Sequence, residues 1–120
     1  MSFFEQLEVM CAEVPGSRTA MVMGLDGIAV ATHQATNDDI DTESMLIELI
    51  GTMKQATSAL KAVDAGDLST LELTTKKGTL LVGILNEEHF VAMYLAPEAL
   101  VGKGRYAMRR HRLALRKELI

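Results

Sequence analysis

A chain of 120 residues with a net charge of −4 has the size of one domain, and folding buries roughly two thirds of the surface that such a chain exposes when unfolded. Apolar residues make up 48% of it and are interleaved with charges, so no stretch approaches the roughly 20 uninterrupted apolar residues of a membrane span. Residues 1–6 have neither the basic nor the apolar region of a secretion signal, so a cytoplasmic protein is expected, with no membrane partner.

Phe3, Leu7, Met10 and Val14 recur at helical spacing and predict a first helix over residues 2–14, ended by Pro15-Gly16. Cys11 falls on its apolar stripe with Phe4, Leu7 and Val14. As the single cysteine it excludes an internal disulfide and is expected to be a reduced core thiol. Two short apolar, partly β-branched runs, 19–24 and 28–33, flank Leu25-Asp26-Gly27 and predict a hairpin. Residues 37–41 form a polar loop, after which Asp41 or Thr42 caps a second helix that runs to Val63 or Asp64 and is closed by Ala65-Gly66.

Three strands follow, at 68–76, 79–85 and 89–96. The last two are apolar on both faces, as expected of central strands with helices on each side. In the first, Leu71 and Leu73 alternate with Thr70, Glu72 and Thr74, which marks an edge strand. A third helix is predicted from Val101 to Ile120, giving the order αββαβββα in an α+β domain. Charge is segregated along the chain. From Lys103 onward seven basic residues face one acid, Glu118, whereas residues 1–102 hold five basic and fifteen acidic residues, or −10.

The chain contains none of the familiar catalytic patterns. No glycine-rich loop with a lysine opens a helix, and Gly24 and Gly27 are explained by the hairpin turn. His33, His89 and His111 stand apart, so no metal site is expected; Asp38-Asp39 and Glu87-Glu88 read as solvated loop charge. No nucleophile elbow occurs. Neither catalytic residues nor a cofactor is expected, and an acidic domain with only Tyr106 among its basic residues is not expected to bind nucleic acid.

The helix faces say more. Leu46, Leu49, Met53, Ala56, Leu60 and Val63 form the stripe expected to lie on the sheet. On the other side Ser44, Gly51 and Ser58 recur every seven residues, flanked by Ile47, Lys54 and Lys61. Glycine inside a helix costs about 1 kcal/mol relative to alanine, and close approach of another backbone is the usual return for that cost. These residues therefore predict a seam against a second copy or a paralogue. The edge strand, through Thr70, Glu72 and Thr74, offers an adjacent route to pairing. On the third helix, Val101, Met108 and Leu115 make one row and Tyr106, Leu113 and Ile120 a nearly opposite one among arginines. The second row is expected to pack on the first helix; the alternative is a basic amphipathic surface for an acidic partner or lipid headgroups.

The element order, the hairpin at residues 20–31 and the closing Ala96-Pro97-Glu98-Ala99-Leu100-Val101-Gly102-Lys103-Gly104-Arg105-Tyr106 resemble the roadblock/dynein light-chain family over nearly the whole chain. The resemblance, of profilin-like architecture, implies a five-stranded antiparallel sheet with helix two on one face and helices one and three on the other. It also implies homodimers or heterodimers formed through helix two and the third strand. Bacterial MglB-like members act on small Ras-like GTPases of the MglA type by docking across the paired second helices and repositioning groups already on the GTPase. Carried over by position, that surface would involve Ile47, Gly51, Lys54, Gln55, Ser58 and Lys61. Other members are scaffolds that join proteins without regard to nucleotide, and the resemblance leaves both roles open.

Overall fold

The computed structural model describes residues 1–37 and 39–119; the expectations for Asp38 and Ile120 fall outside them. The elements follow the predicted order: α1 (Phe3–Glu13), β1 (Ser17–Gly24), β2 (Ala29–Gln34), α2 (Thr42–Ala62), β3 (Thr70–Thr75), β4 (Gly78–Ile84), β5 (His89–Leu95) and α3 (Val101–Glu118). The strands form one antiparallel sheet in the order β2-β1-β5-β4-β3. β5 lies at its centre, and β3 is an edge, as its polar face foretold.

Strand alternation divides the core into two layers. Leu80, Val82, Phe90, Ala92 and Tyr94 point to one face, where Met21, Met23, Leu46, Ile50 and Met53 join them beneath α2. Leu81, Val91, Met93 and Leu95 point to the other, against Leu7, Met10, Cys11 and Val14 of α1 and Ala107, Met108 and Leu115 of α3. Helix two thus has a face to itself, and helices one and three share the opposite one.

Local chemistry sets the element ends. Ser2 caps α1, its hydroxyl accepting from the Glu5 amide at 3.2 Å. In the hairpin, Gly27 takes φ +86° and the Asp26 carboxylate accepts from the Ile28 amide at 3.0 Å. Of the two residues proposed to cap α2, Asp41 does so: Oδ1 accepts from the Ser44 amide at 3.1 Å and Oδ2 from the Ser44 hydroxyl at 2.8 Å. These bonds, the backbone one foremost, hold the Asp41 carboxyl below its usual range. The C-terminus departs from expectation. The left-handed residue is Asp64, at φ +53°, with Asp64 N–H donating to Lys61 O and Ala65 N–H to Leu60 O, a Schellman closure two residues before Gly66.

Two helix faces also need correcting. On α2 the deepest residues are Thr42, Leu46, Ile50 and Met53, whereas Leu49, Ala56 and Leu60 are half-buried and Val63 is 74% exposed. The helix outruns its support: 21 residues span about 31 Å, and the seven-residue strands below it about 23 Å. Its C-terminal turns therefore overhang the end of the sheet. On α3, Tyr106 and Leu113 are 61% and 57% exposed and do not pack on α1. That contact belongs to Ala107 and His111, whose ring lies 2.8 Å from Gln6 Oε1 and 3.1 Å from a Glu13 carboxylate oxygen. Phe4, expected on the inner stripe of α1, is exposed, while Cys11 is buried and its thiol pushed up to about 11 by desolvation.

Candidate protein-interaction surface

The outward flank of α2 carries Ile47, Gly51, Lys54, Gln55, Ser58 and Lys61, all exposed. Ser44 begins the same flank but is engaged in the Asp41 cap. Ile47 is 47% exposed and lies over the β1–β2 turn, where Ile28 is 66% exposed. A Cβ at Gly51 would meet nothing within 4 Å beyond its chain neighbours and the backbone of its own helix. Close packing inside the domain therefore does not explain a glycine here, unlike at Gly104. A Cβ on Gly104 would come within 2.8 Å of the Leu81 and Leu95 methyls, so its missing side chain lets the first turn of α3 settle onto the sheet.

The β3 residues of the expected surface share the sheet face covered by α3. Glu72 is tied within the chain: its two carboxylate oxygens accept from Arg105 Nε and Nη2, each at 2.8 Å. This bidentate pairing lowers the Glu72 carboxyl and raises the Arg105 guanidinium. The Thr74 and Thr79 hydroxyls are 3.2 Å apart across the β3–β4 ladder, and Thr70 is exposed. On the α2 side of the edge, Leu73 is 38% exposed.

The overhang of α2 creates a feature that the sequence reading did not single out. Below it, at the end of the sheet, opens a cleft of about 670 Å³, walled by α2, the segment entering β3, the β4–β5 turn and two arginines from α3. Arg112 Nε donates to Ile84 O at 2.7 Å and its Nη1 to Ser69 Oγ at 2.9 Å; Arg116 Nε donates to Leu85 O at 2.7 Å. The signal was present in the i, i+4 spacing of Arg112 and Arg116, but spacing alone did not show that both would wrap around the end of β4. Among the described residues no three His, Cys, Asp or Glu side chains are grouped to hold a metal ion, and no helix is long and apolar enough to cross a membrane.

An αββαβββα sheet with a lone second helix on one face is the roadblock/LC7 arrangement, and by fold the chain is a roadblock-type domain. Compared with solved structures, it is similar to a roadblock/LC7 domain from Streptomyces avermitilis, with a TM-score of 0.84 at 19% identity over 99% of this chain and 98% of the other. It is also similar to MglC from Myxococcus xanthus, with a TM-score of 0.72 at 28% identity over 98% and 99%. The gliding protein MglB from Thermus thermophilus superposes with a TM-score of 0.85 at 18% identity over 95% of this chain and 85% of that one. These likenesses show the roadblock/LC7 fold over nearly the whole chain. No family model matches the sequence, and no curated protein matches it significantly.

Proposed function

We propose that the chain is a non-catalytic, dimeric regulator of a small Ras-like GTPase, binding its partner through the outer flank of α2. The observation that carries this reading is the exposed pair Ile47 and Gly51 on a helix that has one sheet face to itself, in a sheet that ends in the edge strand β3. Two copies would pair their α2 helices at Gly51 and bring their β3 edges together, making one continuous surface across both. The likeness to MglB and MglC structures supports the same assignment.

Regulation in this reading is a matter of differential affinity. A docked dimer shifts a GTPase switch segment only by as much as it prefers one arrangement over the other, about 1.4 kcal/mol for each tenfold ratio. Catalytic groups remain those of the GTPase, and the dimer fixes where they stand. The test is co-sedimentation with an MglA-type GTPase loaded with GDP or with a non-hydrolysable GTP analogue, for the wild type and Gly51→Arg. A wild-type dimer that favours one nucleotide form, and a variant that loses self-association or partner binding, are expected. A dimer that binds both forms equally is a scaffold, and a stable wild-type monomer removes the seam.

A further inference from the structure

The cleft beneath the α2 overhang shares Lys54, Ser58 and Lys61 with the outer flank of α2, and it concentrates charge in a preorganised form. Arg112 and Arg116 enter it from α3, and Lys54 and Lys61 from α2. Each guanidinium is fixed through Nε by a strand-end carbonyl at 2.7 Å. The side-chain entropy usually lost when a ligand captures an arginine is thus already spent in folding. Among the described residues neither arginine has a carboxylate partner; the carboxylates near α3 are engaged by Arg105, Arg110 and the His111 ring instead. Burial and the like charge of Arg116 lower the Arg112 guanidinium, the mark of two cations held together without a counter-charge.

The remaining lining is informative about the ligand. Two acids, Asp67 and Glu87, also line it, so four cations less two anions leave the cleft at +2. Leu25, Met53 and Leu68 supply an apolar wall beside the charged end. The volume lies within the range of small-molecule sites, which combine apolar walls with a few convergent polar groups. Planar guanidinium forks match phosphate oxygens, and a charge of +2 matches a dianion.

We infer that this cleft binds an organic phosphate with an apolar body, the phosphate lying between Arg112, Arg116, Lys54 and Lys61. This goes beyond the regulatory reading and does not depend on it. The test uses the full chain alone, so its failure leaves nucleotide-dependent docking untouched. Phenyl phosphate, inorganic phosphate and sodium chloride at matched ionic strength are titrated into labelled protein while the arginine Nε–H and backbone amide resonances are followed by NMR.

The expected result is a saturable shift confined to Arg112, Arg116 and the β4–β5 turn, with phenyl phosphate binding at least fivefold more tightly than inorganic phosphate. Arg116→Gln should weaken binding about tenfold. Because that change also removes a bond to Leu85 O, the Lys54→Gln/Lys61→Gln double variant serves as a second probe. Its side chains are exposed on α2, and about threefold weaker binding is expected without loss of fold. Shifts that track ionic strength alone overturn the inference, as do equal affinities in all variants, or an acidic peptide that saturates the cleft where both phosphates fail.

Discussion

Replacing Gly51 with alanine sets two effects against each other. Beyond its chain neighbours and the backbone of its own helix nothing lies within 4 Å of the added methyl, so the isolated fold accepts it without strain. Alanine is better than glycine inside a helix by about 1 kcal/mol, and this chain should gain most of that. An unfolding entropy of about 0.25 kcal/mol per kelvin for 120 residues converts the gain into a melting temperature about 4 °C higher. If two α2 helices touch at this position, the two new methyls meet across the symmetry axis. Overpacking of that kind costs about 1–3 kcal/mol, weakening self-association about five- to 150-fold. Sedimentation across a concentration series, combined with melts at the dilute and concentrated ends, separates the two terms, because a dimer's melting temperature rises with concentration. A variant that melts higher yet associates as tightly as wild type would refute the seam. One that melts lower when dilute would refute the open flank.

Three further outcomes are expected. Gly104→Val should lower the melting temperature by about 8 °C, from about 2 kcal/mol of overpacking where a Cβ already comes within 2.8 Å of two buried leucine methyls. Asp64→Gly should raise stability by about 0.5 kcal/mol in a urea titration: relief of the left-handed φ outweighs the extra freedom of the unfolded chain, whereas Asp64→Val should lower it. Cys11 holds its proton more tightly folded than unfolded, with its pKa at about 11 against an ordinary 9.0, so its contribution is complete below pH 9 and is lost as pH rises towards 11. Melts in that interval should show a steeper loss for wild type than for Cys11→Ala, and a thiol reagent at pH 8 should label Cys11 only as fast as the protein opens.

Legibility in the sequence followed the physics of each element. The eight elements were readable because apolar periodicity and turn residues act within a few positions of one another, and β3 was readable as an edge from its alternation of leucine with Thr and Glu. The inner face of α2 was read one helical position askew at Ile50. Small differences in apolar content cannot show that the helix is longer than the strands supporting it, and Val63 went wrong for the same reason. Tyr106 and Leu113 looked like packing residues because they are apolar; that His111 holds the contact with Gln6 and Glu13 depends on pairings across about a hundred residues. That the outer flank of α2 stays exposed was legible from its small and charged residues. The cleft was not, since its arginines acquire their orientation only when α3 meets carbonyls of β4.

The material beneath α2 has a consequence of its own. The helix, through its own Met53 among others, rests largely on Met21, Met23 and the rings of Phe90 and Tyr94, with fewer branched side chains than support α1 and α3. Unbranched thioethers change rotamer at little cost and keep filling the space around them. A load on α2 can therefore be taken up by a small slide of the whole helix over a compliant bed, without opening a void and without disturbing the layer behind the sheet. One sequence could in this way seat against surfaces of somewhat different curvature, with the adjustment made below the contact and the contact residues themselves unchanged.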